Sequence, residues 1–196
     1  MSKNNPHKLK NKISFNSPVI LGFTAICLVS LLLNMLTHGA SNNMIFSVYR
    51  SSLLNPLTYV RFFGHVFGHA SWSHFMNNIM YILIIGPLLE EKYGKADTIM
   101  IIAVTALVTG LINFIFFPHV QLLGASGVVF AFILLSSFTS FQNGKIPVTF
   151  IIVAVIYIGQ QIYSGVFEKN NISELTHIIG GFVGSAFGFA ENKIKR

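Results

Sequence analysis

The sequence predicts an all-α polytopic membrane protein, a bundle of six transmembrane helices with a long first outer loop. Three observations carry that prediction. Of 196 residues, 53% are hydrophobic and only 10% are charged, where a soluble globular domain carries about 25% charged residues. Apolar runs recur six times, at 18–37, 73–89, 98–117, 124–141, 147–163 and 172–190. The basic residues fall mostly in alternate connections between those runs.

Most runs approach the roughly 20 residues that cross a hydrocarbon core about 30 Å thick; 73–89 and 147–163 lie nearer the lower limit of about 17. The separators at 90–95, 117–119, 142–145 and 164–171 carry charges, Gly or Pro and read as loops or turns. A spanning segment must satisfy its own backbone hydrogen bonds, which selects helices. The alternating ten-residue strands of a membrane β-barrel are absent from the pattern. Six crossings put both termini on one side. Lys3, Lys8, Lys10, Lys12, Lys92, Lys95, Lys145, Lys193, Lys195 and Arg196 share that side, and only Arg50, Arg61 and Lys169 face the other. By the positive-inside rule both termini are cytoplasmic. The expected location is the cell membrane, with a basic segment 1–17, a membrane domain 18–190 and a basic tail 191–196. The net charge of +7 then reflects topology and contact with anionic lipid, not nucleic acid.

The first apolar run is too long for the 7–15-residue core of a signal peptide and is expected to stay. Cys27 is the only cysteine, so no intramolecular disulfide, cysteine-ligated metal cluster or catalytic Cys–His pair follows. Residues 39–72 form a long connection, and long connections are usually functional. This one carries many aromatic and aliphatic residues among polar ones, which suits a segment lying at the bilayer surface.

Polar groups inside the apolar runs suggest the chemistry, because ionisable groups in hydrocarbon are costly and mark functional sites. Ser126 opens the fourth run in Gly124-Ala125-Ser126-Gly127. His177 lies about five residues into the sixth. His74 and Asn78, one helical turn apart on one face, begin the second. All three segments are entered from the outer side, so these groups share a depth just below the outer surface. Gly180, Gly184 and Gly188 recur every fourth residue on the sixth run, and Gly127 and Ala131 give the fourth a small-residue face. Such faces let membrane helices approach closely, which would bring the His177 imidazole to the Ser126 hydroxyl.

A serine hydroxyl is a weak nucleophile and needs a base. His177 can take its proton and return it to a leaving amine. Glu174 is the only nearby carboxylate, so a Ser–His dyad is expected rather than a triad. The Ser126 backbone N–H, the His74 imidazole and the Asn78 amide are the candidate oxyanion donors.

These residues resemble the rhomboid family of intramembrane serine proteases over about residues 18–190. Gly124 to Gly127 looks like its GxSG nucleophile motif, His74 with Asn78 like its HxxxN motif, and His177 with Gly180 like its HxxG motif. The stretch 86–94 resembles its GxxxExxxG, with Glu90 as the acidic member. His69 matches a further family histidine. The family often has Trp before the arginine of the first loop, and Val60 stands there before Arg61. Phe130 occupies a position that is commonly Tyr, and Thr176 one that is often Ala. The resemblance implies cleavage of transmembrane protein substrates, single-span proteins cut near the outer end of their helix, without cofactor or metal. The expected partners are those substrates and membrane lipid.

Three other readings compete. A transporter or channel would line a polar path with Ser126, His74 and His177, but no inverted repeat is visible. A zinc site on His65, His69 and His74 lacks the glutamate of a metalloprotease signature, since Val66 follows His65. A catalytically silent member would bind membrane clients without cutting them. The fifth run, poor in small residues, is expected to pack loosely and to act with 164–171 as a movable gate.

Overall fold

The computed structural model describes residues 15–138 and 171–194, with residues 148, 149, 151–153, 155, 156 and 159 between them. In the last helix, side chains are described for 178–188 and 190. Seven α-helices are defined among the described residues: α1 (Pro18–Leu36), α2 (Ala40–Met44), α3 (Pro56–Gly64), α4 (Trp72–Tyr93), α5 (Lys95–Phe116), α6 (Ser126–Phe138) and α7 (Asn171–Ile194), with a 3-10 turn at His65–Phe67. The described residues of the fifth run are helical as well. The class is therefore all-α. α1 and α5 are each long and apolar enough to cross a membrane, and Ser126–Ser137 and Ile178–Gly188 are shorter apolar stretches. The basic residues 3–12, the 142–145 turn, the 164–170 part of the expected gate and residues 195–196 lie outside the described residues.

The α1–α4 contact is set by a carboxylate. Pro18 opens α1 at a position where a missing N–H costs nothing, but Ser17 supplies no side-chain cap. The first N–H groups of a helix have no intrahelical partner. Buried Glu90, near the far end of α4, accepts from Val19 N–H at 3.1 Å and Ile20 N–H at 3.0 Å. Its negative charge also suits the positive end of the α1 dipole. The two helices therefore run antiparallel, and Glu90 is fixed as part of a helix rather than of a loop.

This corrects one expectation. The separator read at 90–95 is not a loop: α4 continues through Tyr93, and Gly94 alone joins it to α5. Gly94 has φ 88 and ψ 168, a conformation essentially restricted to glycine, so one residue reverses the chain. Charged residues near a helix end look like a loop in sequence, but here they lie on the final turn of a 22-residue helix.

The long connection is built, not draped. Asn55 caps α3 through its side-chain oxygen, which accepts from Leu57 N–H at 3.0 Å. Arg61 is buried: its Nε–H donates to the Met44 carbonyl at 2.9 Å, and its guanidinium lies 4.6 Å from the Tyr49 ring centroid. Val60, one of the residues that depart from the family pattern, faces outward, while Arg61 itself ties α3 to the preceding segment. Val48 and Leu122 exchange two 2.9 Å backbone hydrogen bonds, an isolated antiparallel bridge that joins this connection to the loop before Ser126.

α6 and α7 form the most extensive helix pair. A Cβ at Gly180 would strike the Gly127 carbonyl oxygen, and one at Gly184 the Ala131 carbonyl oxygen. Only small residues permit this backbone approach.

Removing the Glu90 carboxylate should strand two buried donors. Hydrogen bonds to charged groups are worth about 1.5–3 kcal/mol each, so Glu90→Ala is expected to destabilise the bundle by about 3 kcal/mol or more, and Glu90→Gln by less. Unfolding in detergent micelles tests this; a wild-type midpoint for Glu90→Ala would show that α1 is held by other contacts.

Candidate active site

The site begins at the turn into α6. Gly124 has φ 127, a region L side chains rarely enter. Its N–H donates to the His65 carbonyl at 2.9 Å. A Cβ there would lie 2.7 Å from His74 Nε2, so the backbone before Ser126 is pressed onto the His74 ring. The rest of the loop is pinned from several sides. Asn113 Nδ2 donates to the Val48 carbonyl at 3.1 Å and the Val120 carbonyl at 3.0 Å, and Gln121 Nε2 donates to Ser47 Oγ. Ser126 is then the first residue of α6, half-buried, where orphan N–H groups and the helix dipole favour negative charge.

α4 supplies the opposite wall. Ser71 caps it by accepting from His74 N–H at 3.2 Å. Buried Asn78 donates through Nδ2 to the His74 carbonyl at 3.1 Å and faces His69 Nε2 at 3.4 Å. His69 Nδ1 lies 3.1 Å from the Phe67 carbonyl, which can only accept. Nδ1 therefore carries the proton and Nε2 accepts from Asn78. The His69 and His74 rings meet edge to face at 5.0 Å, and the His69 carbonyl accepts from Asn42 Nδ2 at 3.1 Å. Between the walls lies a cleft of about 280 Å³ lined by His74, Asn77, Asn78, Tyr81, Ser126 and Phe130. It mixes hydroxyl, amide and imidazole groups with an aromatic floor.

The structure thus brings Ser126, His74, Asn78 and Phe130 to one cleft, with Gly124 packed against the His74 ring and His69 against Asn78. Gly180 and Gly184 lie on the α6–α7 seam, Arg61 in the long connection, and Glu90 at the far end of α4, away from the cleft. His177 lies on α7 one turn before Gly180; its side chain and that of Glu174 lie outside the described residues. His65 and His69 do not converge as a metal pair. α3 ends at Gly64, and the 3-10 turn sends the His65 ring toward Thr109, 3.2 Å from Nε2, while the His69 ring faces Asn78. Asn77 fits the common Asn-Asn form of the HxxxN motif, whereas Tyr81 carries no motif signal, although 74, 77, 78 and 81 follow the spacing of one helix face. The His65 carbonyl carried no sequence signal, because a backbone group's partner depends on tertiary placement.

Among the described residues the fold is helical, two of its helices are long and apolar enough to cross a membrane, and a polar cleft lies between α4 and the start of α6; these features define a helical membrane protein. The Rhomboid domain matches residues 56–193, which is most of the chain, and the protein belongs to the rhomboid family. It is 23% identical to rhomboid protease GlpG of Haemophilus influenzae, across 96% of this chain and 98% of that protein. It is 29% identical to rhomboid-related protein 1 of Caenorhabditis elegans, across 66% of this chain and 39% of that one. It is 23% identical to rhomboid protease GluP of Bacillus subtilis, across 86% of this chain and 33% of that one. The chain thus spans nearly all of the first relative and less than half of the other two.

Two expectations follow from the geometry. Gly124→Ala should force both a strained φ, costing about 1–3 kcal/mol, and displacement of His74; its signature is a perturbed His74 ring resonance together with a lowered melting temperature. The second concerns pH. Burial lowers the His65 pKa from 6.5 to about 4, and burial, reinforced by the neighbouring His74, lowers that of His69 to about 4. Between these values the unfolded chain binds more protons than the folded one, so stability rises with pH in that window. It should be fully present above about pH 6.5 and lost as pH falls toward 4. A melting temperature independent of pH from 7 to 4 would contradict burial of the neutral rings.

Proposed function

We propose that the protein is an intramembrane serine endopeptidase that cleaves single-span membrane proteins near the outer membrane interface through a Ser126–His177 dyad. The observation that carries this reading is the cleft that puts Ser126, at a helix N-terminus, opposite His74 and Asn78. Support for His177 as its partner comes from register. Gly180 meets Gly127 and Gly184 meets Ala131, a constant offset of 53 residues (180 to 127, 184 to 131) that makes α6 and α7 parallel. Carried back one turn, that offset sets His177 level with Gly124, beside Ser126. Two parallel spans also need a connection that recrosses the membrane, and the helical residues within 148–159 suit it. The bundle then has six crossings, with both termini on the cytoplasmic side.

In the reaction, Ser126 Oγ attacks the scissile carbonyl carbon while His177 takes its proton. The carbonyl oxygen gains negative charge and is met by the Ser126 N–H, the His74 ring and Asn78. Of the two Asn78 N–H bonds, the 3.4 Å one to His69 is the weaker, and a charged oxygen competes well for it because charge-assisted bonds are roughly twice as strong. Collapse breaks the C–N bond, and the amine leaves with the proton from His177. Water, deprotonated by the same imidazole, then attacks the acyl-serine ester and regenerates Ser126.

Purified protein reconstituted with a labelled single-span substrate tests this against Ser126→Ala. Ser126→Ala and His177→Ala are each expected to abolish cleavage with the fold intact, and the double variant to lose little more, because members of one unit are strongly non-additive. Cleavage by either single variant would overturn the dyad. His74→Ala and Asn78→Ala should each lower turnover by about ten- to a thousand-fold, the range for loss of one oxyanion donor; unchanged turnover with altered stability would make them structural.

A further inference from the structure

A second feature lies on another face of the bundle, with no lining residue in common with the cleft. An apolar groove of about 360 Å³ runs between α1 and α5, with Pro18, Gly22 and Ile26 on one wall and Ile99 and Ala103 on the other. Phe67 of the 3-10 turn contributes to its lining. Its size falls within the roughly 300–1,000 Å³ of small-molecule sites. An apolar cavity does not hold water, and in a membrane the available filler is lipid. Ile26 and Ile99 are about half exposed, so the groove opens sideways into the bilayer.

Its length narrows the occupant. From Pro18 to Ile26 is about 12 Å at 1.5 Å per residue, and one leaflet of a core about 30 Å thick is about 15 Å. A groove of that length fits one lipid tail; a transmembrane helix would need a channel through both leaflets. At the Pro18 end the groove meets a polar cleft of about 420 Å³ that shares Pro18 and is lined by Asn16, Ser17, Glu91 and Lys95 beside the α4–α5 turn. Glu90 also borders it, but its carboxylate is committed to the α1 N-terminus. Among the described residues that line it, the other ionic groups are the exposed carboxylate of Glu91 and the exposed ammonium of Lys95.

We propose that this composite site binds one ethanolamine-headed glycerophospholipid, an acyl chain in the α1–α5 groove and the headgroup in the adjoining polar cleft. The lipid phosphate faces Lys95, and its primary ammonium faces Glu91 and can donate hydrogen bonds to it. A choline head has no N–H to donate, and a glycerol head leaves Glu91 opposed by no cation. The site shares no lining residue with the cleft at Ser126, so it stands whether or not the chain is a protease.

The test is photo-crosslinking of the full chain in liposomes with a phosphatidylethanolamine bearing a diazirine in one acyl chain. Gly22→Leu is the blocking variant, because a Cβ at Gly22 meets nothing within 4 Å, so the new side chain occupies the groove without displacing protein. Ala103→Leu blocks from the other wall, and Val29→Leu, elsewhere on the exposed face of α1, is the control. Crosslinks are expected to concentrate in 18–26 and 99–106. They should fall at least five-fold in both blocking variants at unchanged melting temperature, persist in the control, and be competed better by unlabelled phosphatidylethanolamine than by phosphatidylcholine or phosphatidylglycerol. Labelling spread evenly along α1 and insensitive to Gly22→Leu and Ala103→Leu, or equal competition by the three lipids, would overturn the proposal.

Discussion

Lipid offers no hydrogen-bond partners, so each polar group drawn into this bundle has to be answered from within the chain. That constraint explains why distant segments are tied together where they are. Glu90 answers the open N-terminus of α1 from 70 residues away. The His69 carbonyl is answered by Asn42, and the Val48 and Val120 carbonyls by Asn113. Buried Arg61 is answered by the Met44 carbonyl and the Tyr49 ring. The buried side-chain atoms that go without a partner among the described residues are hydroxyls and amide oxygens, such as those of Ser30 and Asn34; none carries a charge. Satisfaction of the expensive groups fixes the helix ends, and the helix ends fix the cleft.

Much of this was legible in the sequence for a simple reason: in a membrane, composition alone nearly dictates secondary structure. The described parts of the apolar runs match helices, and the small-residue spacing at Gly180 and Gly184 marks where α7 touches α6. The His74–Asn78 spacing was readable because helical periodicity is local. Boundaries were less legible. The Glu90–Tyr93 stretch has loop composition yet continues α4, because its role is to cap a helix far away in sequence. The scaffolding of the site was hardly legible at all. The His65 carbonyl, the Val48–Leu122 bridge and the Asn113 bonds depend on backbone groups, which every residue has and no residue type announces.

The long connection shows how one stretch of chain serves two ends. Its Arg61, Val48 and Ser47 hold the segment together and grip the loop that delivers Ser126, while Phe63, Val66 and Phe67 line the apolar groove.

The glycine seam also has a consequence in time. α6 and α7 are parallel neighbours, yet α7 ends 56 residues of chain after α6 does (Phe138 to Ile194). At a synthesis rate of about 5–20 residues per second, the small-residue face of α6 waits roughly 3–11 s for its partner. Throughout that interval a newly made chain carries its serine without the helix that bears its proposed base. On the proposed reading, biogenesis itself delays the chemistry, because a nascent chain crowded among other inserting helices still lacks the helix that bears the proposed base.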